Sequence, residues 1–398
     1  MKTTVTAIDF GTSKIVTLVA ENSGSQRCDI VGTGIAAYDG YLRDGWNNPG
    51  ELDQKILASI GDAEKQSKRK LRDVNVGVPA AFTTVYPVEV RVELKGTDPR
   101  VTSDDVRAAF KAAEEKLGNP MGIVVHSSPA WFTVDDGKKI MDPVNLKGRE
   151  LCAYVSFVVA DKFFVDEVNN RLNNLGYTVQ GFYSTAAGEA MLFLPEEDRD
   201  KTSLLIDVGY LSTDVMAAEG DALTFLTTID IGGGNIAADL AIGLDITLQE
   251  AEEKIKRRYV YGIESPDEVF EIPGTEGQPP RSFPRAAVTE IITPRVDEIA
   301  EEIQRVLEES GVRLGDWSNI YLTGSGLGRS QGGKDYLAAK LGRPVRDVPK
   351  RTANLNAPSY SSTLGLIELI IDTIETGNQQ SAGLGGAVKD FFRGLLGG

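Results

Sequence analysis

Residues Thr4 to Ala20 read T-V-T-A-I-D-F-G-T-S-K-I-V-T-L-V-A. Two apolar, β-branched runs flank Gly11-Thr12-Ser13, so the stretch predicts strand, tight turn, strand rather than strand followed by helix. The first strand carries the Asp9 carboxylate to its end. Gly11 lets the backbone pass close to a ligand. Thr12 and Ser13 bring hydroxyls and N–H groups, and Lys14 brings positive charge. Such a hairpin can cradle phosphates while the carboxylate orders the waters of a Mg2+ ion. The D-x-G-T string is short, and taken alone it is better explained as a surface β-turn.

It is not alone. Ser203 to Ala218 repeats the pattern as S-L-L-I-D-V-G-Y-L-S-T-D-V-M-A-A, with Asp207 in the place of Asp9. The two strand–glycine turn–strand segments imply an internal duplication. Gly209, Ser212 and Thr213 repeat the phosphate-cradling chemistry. A third segment, Tyr321-Leu322-Thr323-Gly324-Ser325-Gly326, ends a strand in small residues, against which a flat adenine and ribose can lie. Each segment has a bland reading as a strand-exit loop. Their order and separations make coincidence a poor account of all three.

Between these segments the chain alternates helices and strands. Leu52 to Lys70 is helical, with Leu52, Ile56, Leu57 and Ile60 on one face. Asp73 to Pro79 and Phe82 to Leu94 are strand-like. Thr102-Ser103-Asp104-Asp105 caps a helix from Val106 to Leu117. Strands over Ile123–Val134 and Glu150–Ala160 complete a β-α-β-β block that reads as an inserted subdomain. Phe164 to Leu175 is a helix closed by Gly176. Further on, Gly232-Gly233-Gly234 precedes a helix, and a charged helix covers Leu248 to Tyr259. Ile272 to Pro284 reads as a Gly/Pro-rich loop, and Ala286 to Glu309 as a long helix.

Composition narrows the function. The 398 residues carry a formal net charge of −16, which argues against nucleic acid as the main partner. The two cysteines, Cys28 and Cys152, give neither a disulfide framework nor a zinc site and suit a reducing cytoplasm. His126 is the single histidine, so histidine triads and histidine-rich metal sites are nearly excluded. No signal peptide is expected ahead of Thr3-Thr4, and no apolar run is long enough to span a bilayer.

The three segments resemble the actin and sugar-kinase superfamily, whose two phosphate hairpins and adenosine loop face one interdomain cleft. Further matches resemble the bacterial cell-division family FtsA over essentially the whole chain. Ala186-Ala187-Gly188-Glu189-Ala190 is similar to its hinge helix. Ile231-Gly232-Gly233-Gly234-Asn235 through Ala241 is similar to its second connecting segment. Glu253-Lys254-Ile255-Lys256 resembles its E-x-I-K nucleotide contact, although a solvated helix face explains Glu253 and Lys256 about as well. Asp142-Pro143-Val144-Asn145-Leu146-Lys147-Gly148 resembles its N-P-V-G-x-x-G turn, and Arg295-Val296-Asp297-Glu298-Ile299 its R-x-x-E-I helix.

The resemblance implies an α/β actin-like fold, two related domains around a nucleotide cleft. The first domain comprises residues 1–80, 161–200 and 353–377, with an FtsA-type insertion at 81–160. The second comprises 201–230 and 286–352, with a smaller subdomain at 231–285. It also implies ATP and Mg2+ as ligands. Asp9 and Asp207 would hold the metal through water. Gly11, Thr12, Ser13, Lys14, Gly209, Ser212, Thr213, Gly233, Glu253, Lys256, Gly324 and Ser325 would bind the nucleotide. One departure stands out: Tyr210-Leu211 occupy places where the family has two glycines, which predicts nucleotide binding with at most slow hydrolysis.

After a Gly/Ser/Gln linker at 378–386, Val388, Phe391, Phe392, Leu395 and Leu396 recur at helical spacing and predict an amphipathic helix over 387–398. With the resemblance, this predicts a polymerising, peripherally membrane-bound cytoplasmic adaptor at the division site. Its implied partners are FtsZ, further copies of itself head to tail, and membrane lipid. A small-molecule kinase of the same superfamily, a pilus-assembly adaptor and a scaffold that has lost nucleotide remain alternatives.

Overall fold

The computed structural model describes residues 3–22, 28–42, 45–263, 265, 267–274, 279–349 and 360–378. The predicted linker and amphipathic tail, with Val388, Phe391, Phe392, Leu395 and Leu396, lie outside the described residues. No helix among the described residues is long and apolar enough to cross a membrane.

Two five-stranded sheets share one topology. In the first, Thr3–Phe10 pairs antiparallel with Lys14–Asn22, which pairs antiparallel with Cys28–Ala37. On its other side Thr3–Phe10 runs parallel to Asp73–Val78, and beyond that lies Thr178–Ser184. The second sheet repeats this order. Ser203–Val208 is flanked by Thr213–Glu219 and Ala222–Ile229 on one side and by the parallel strands Ile320–Thr323 and Val345–Asp347 on the other. The duplication legible in the two D-x-G segments therefore extends to whole sheets. The central strands are apolar along their length because helices cover both faces, as a sheet with parallel members requires.

The helix Leu52–Ser67 buries Leu52, Ile56, Ser59, Ile60 and Ala63 on the first sheet. The helix Ser361–Asn378 covers the other face with Leu364, Leu366, Ile367, Ile370 and Ile371, packed on Val5, Ala7, Val16 and Leu18. In the second half, the helix Arg285–Ser310 packs Val288, Ile292, Val296, Ile299 and Ile303 on Leu204, Ile206 and Leu322.

The predicted insertion is a three-stranded sheet, Thr83–Glu93, Glu150–Ala160 and Ile123–Val134 in that order, backed by the helix Ser103–Leu117. Thr102 caps that helix: its hydroxyl accepts from Asp105 N–H at 3.2 Å, and its own N–H donates to Asp105 Oδ2 at 2.9 Å. The insertion also touches the second half. Asp221 N–H donates to the Pro129 carbonyl at 3.2 Å, Ser156 Oγ donates to the Leu223 carbonyl, and Lys139 pairs with Glu219.

Three expectations are corrected. The stretch Ile272–Pro284 is not a loop throughout, since Val269–Ile272 and Arg281–Pro284 pair as a short antiparallel ribbon. Phe270 and Ile272 are buried there while Val269 and Glu271 face outward, an alternation only four residues long beside a Gly/Pro-rich stretch. The charged helix over Leu248–Tyr259 is regular only for Leu248–Glu250; a π turn over Ala251–Ile255 and a 3-10 turn over Lys256–Arg258 complete it. Finally, the helix crossing the predicted hinge helix, Thr185–Phe193, is Ser361–Asn378. The one after Gly232, Gly233–Leu244, instead packs on Arg285–Ser310 in the second half.

Candidate nucleotide cleft

The cleft opens where the two central strands end. Each hairpin closes with the same backbone bond, Gly11 N–H to the Lys14 carbonyl at 2.9 Å and Gly209 N–H to the Ser212 carbonyl at 2.8 Å. Asp9, Gly11, Thr12, Ser13 and Lys14 line one wall; Asp207, Gly209, Tyr210, Ser212, Gly324 and Ser325 line the other. The two hairpins touch, with Leu211 N–H donating to Thr12 Oγ1 at 3.1 Å.

Asp9 is buried and accepts from Ser362 Oγ at 2.6 Å and Thr363 Oγ1 at 2.8 Å. Both hydroxyls belong to the first turn of the helix Ser361–Asn378, whose N-terminal dipole also favours an anion. Burial still pushes the Asp9 carboxyl above its ordinary range, opposed by these hydroxyls and by Lys14.

Asp207 is treated differently. Burial, then the charges of Asp214 and Asp9, push its carboxyl up to about 8, against which Lys14 and a hydrogen bond with Glu189 act only in part. Glu189 is raised too, first by burial and then by Asp207. Asp207 Oδ1 and Glu189 Oε1 are buried without a hydrogen-bond partner. Buried, unpartnered carboxylate oxygens are costly unless something positive arrives. They fit a hydrated divalent cation, and Lys14, whose own pKa burial lowers, supplies only part of the compensation. Among the described residues no three His, Cys, Asp or Glu side chains cluster closely enough to ligate a metal directly, so such an ion would be held through its waters.

Gly324 lies at φ +89°, where side chains are strained, and a Cβ there would sit 2.1 Å from Asp207 Oδ1. The same closeness governs Gly233, where a Cβ would meet Gly326 Cα at 2.2 Å. Gly233 thus packs the second hairpin's support rather than lining the cleft. Tyr210 is accommodated by another member of that triplet: its ring lies over Gly234, where a Cβ would stand 2.8 Å from the ring.

Other expected contacts lie elsewhere. Thr213 is fully buried and donates to the Ile231 carbonyl at 2.7 Å. Lys256 is 2% exposed and pairs with Glu252 at 2.9 Å, while Glu253 is exposed. None of the three lines the cleft. Sequence reasoning placed Glu189 only in a hinge helix and missed Tyr41, Ser361 and Ser362, all of which line the cleft. A lone carboxylate in the small-residue run Thr185–Ala190, and three hydroxyls opening an apolar helix, were the available signals.

The hinge helix and the last helix cross at glycines. A Cβ on Gly188 would sit 2.4 Å from the Gly365 carbonyl, and one on Gly365 the same distance from Glu189 N. This crossing sets Glu189 on the floor of the cleft, beside the Ser361 turn.

Comparison with known proteins agrees with this geometry. The family model "Cell division protein FtsA" matches residues 204–365, and "SHS2 domain inserted in FTSA" matches residues 83–159, which is the three-stranded insertion. Cell division protein FtsA of Pseudomonas aeruginosa is 25% identical over 371 residues, covering 91% of this chain and 88% of that protein. The Bacillus subtilis protein of the same name is 24% identical, covering 91% and 82%. Among solved structures, a PilM-PilN type IV pilus biogenesis complex superposes with a TM-score of 0.59 at 19% identity, covering 92% of this chain and 98% of that one. MreB5 of Spiroplasma citri bound to ADP gives 0.51 at 11%, covering 95% and 99%. The structural likenesses establish the actin-like fold. The two family models and the relatives along nine-tenths of its length place this chain in the FtsA family of actin-like cell-division proteins.

Proposed function

We propose that the protein binds ATP with Mg2+ in this cleft and acts as a polymerising adaptor that tethers an FtsZ filament to the cytoplasmic membrane. The observation that carries the nucleotide part is the convergence of both phosphate hairpins and the Gly324–Ser325 turn on one cleft that holds unpartnered carboxylate oxygens. Asp9 and Asp207 would order the metal's waters, and the bound ion would neutralise phosphate charge. Thr12, Ser13, Lys14 and Ser212 face where phosphates would lie, and Gly324 and Ser325 would face the adenosine. Thr12 and the Leu211 N–H are bonded to each other across the cleft, so a ligand entering between the hairpins exchanges that bond for its own.

Hydrolysis is proposed to be slow, because Tyr210 and Leu211 stand where the family has glycines. The FtsZ peptide is proposed to dock on the smaller subdomain of the second half, around Ile236 to Pro284, an extended or short-helical peptide needing only a shallow groove. The tail over 387–398 is proposed to insert its apolar face at the membrane surface, weakly as a single copy and with avidity in a polymer.

Calorimetry with ATP, with and without magnesium, tests the first part. Magnesium-dependent binding lost in Asp207→Ala is the expected result; no binding by the unmodified protein refutes the reading. Liposome sedimentation with FtsZ, with and without residues 387–398, tests the second: undiminished lipid recruitment after the deletion would defeat the tether.

A further inference from the structure

The segment after the third strand of the first sheet is fastened to the first hairpin. Tyr38 N–H donates to the Ser13 carbonyl at 3.1 Å. Gly40, at φ +75°, passes so close that a Cβ there would stand 2.4 Å from the Thr12 carbonyl oxygen. Asn47 N–H then donates to the Gly40 carbonyl at 3.1 Å, closing the short ribbon Tyr41–Leu42 and Gly45–Trp46. Residue 41 therefore has a fixed place relative to Thr12 and Ser13.

Tyr41 itself is 7% exposed. Its ring stands edge-on to Trp46 at 5.9 Å and against Phe82 at 5.1 Å, in an aromatic nest that includes Phe10 and Phe164. It lines the cleft with Pro79 and Ala80, first-half residues, whereas Gly324 and Ser325 belong to the second half. Burial, with the charges of Asp214, Asp9 and Asp207, raises its pKa well above the ordinary phenol value, so the hydroxyl stays a donor. Two carboxylate oxygens of the cleft already accept from protein hydroxyls. Asp9 Oδ2 serves Ser362 and Thr363, and Asp214 Oδ1 serves Thr228. With adenosine at Gly324–Ser325 and the phosphate chain running between the hairpins, the far end of that chain points to the first-half wall.

Resting on the nucleotide reading of the cleft, we propose that the Tyr41 hydroxyl is a specificity-determining donor to the outermost phosphate of a nucleoside triphosphate. Tyr41 thereby lets the protein distinguish triphosphate from diphosphate without cleaving either. The residue is invisible to a search for phosphate motifs, because it lies outside both hairpins and reaches the cleft through Gly40.

Calorimetry with magnesium–ATP and magnesium–ADP tests this on the full chain. The unmodified protein should bind ATP at least about 10-fold more tightly than ADP, the worth of one hydrogen bond to a charged acceptor. Tyr41→Phe should lose that margin, weakening ATP about 10-fold and leaving ADP within about 2-fold, with the nucleotide-free thermal midpoint nearly unchanged. Equal affinities in the unmodified protein, or equal changes for both nucleotides in Tyr41→Phe, overturn the proposal while leaving the nucleotide site standing. Failure of the unmodified protein to bind either nucleotide overturns the reading of the cleft itself. Should Tyr41→Phe unfold, the ATP-to-ADP ratio of the unmodified protein still decides the matter.

Discussion

Asp9 and Asp207 occupy the same position in two copies of one sheet, and the protein supplies them differently. Across the hairpin, Asp9 faces Val16, whereas Asp207 faces Asp214. Asp9 receives two hydroxyl bonds from the last helix, while Asp207 keeps one buried oxygen without a partner. Directly opposed like charges are destabilising, and burial magnifies the repulsion. The duplication has thus produced one buried carboxyl that its own chain supplies with two hydroxyl donors and one that keeps an unpartnered oxygen. That oxygen marks the second hairpin as the place where a proton, or a cation in its stead, is taken up.

The largest expected effect comes from crowding that oxygen sterically. Gly324→Val drives a side chain into Asp207 Oδ1 and the Val208 carbonyl, at a left-handed φ. Denaturant titration should show a loss of about 3 kcal/mol or more. In the first sheet, Gly77→Ala meets the side chains of Thr185 and Leu366 at 2.7 and 2.9 Å and backbone only at the Ile8 carbonyl, 3.4 Å away, and should cost less because side chains can shift. A larger loss at Gly77 would break the comparison.

Next comes the pH profile. Asp207, with its folded pKa raised to about 8, binds a proton that the unfolded chain releases near 3.8. Its contribution to stability is complete below the lower value and is lost as pH rises through the higher one. Asp207→Asn should flatten that decline, and without magnesium it should be neutral or stabilising. His126 acts with opposite sign. Burial lowers it to about 4, so stability is lost as pH falls from 6.5 towards 4. Comparing the two proteins at each pH removes the histidine contribution.

Asp9→Ala should be destabilising by about 1–3 kcal/mol, since it strands the Ser362 and Thr363 hydroxyls. If Asp9→Ala proves harmless while Asp207→Asn unfolds the protein, the assignment of supplied and unsupplied carboxyls is reversed. The smallest effect belongs to the contact between hairpins: Thr12→Val removes the acceptor of Leu211 N–H and should cost about 0.5–1.5 kcal/mol without nucleotide.

Much of this was legible in the sequence, for physical reasons that vary along the chain. Strand-turn-strand patterns depend on nearest neighbours, so both hairpins and the capped helix after Thr102 were readable. Asp9 and Asp207 were readable as equivalents. Their inequality was not, because it lies in Ser362 and Thr363, 353 and 354 residues from Asp9. Glu189 was readable as part of a hinge helix but not as a cleft residue, because that place depends on two helices meeting at Gly188 and Gly365. The ribbon at Val269–Ile272 and Arg281–Pro284 is too short for periodicity to compete with the glycines and prolines between its strands. The π turn at Ala251–Ile255 breaks the very period by which a helix is recognised.

The crossing at Gly188 and Gly365 has a mechanical consequence. The last helix begins at Asp9, is gripped at its fifth residue, and runs thirteen residues further to Asn378. At 1.5 Å per residue that arm, packed on the first sheet through Leu366, Ile367, Ile370 and Ile371, is about 20 Å long. Pivoting about the glycine contact by about 10° would swing Asn378 through about 3.5 Å while the serine end moves about 1 Å. The helix is a lever with its fulcrum near the cleft, and its long arm is the one that leads to the final twenty residues of the chain.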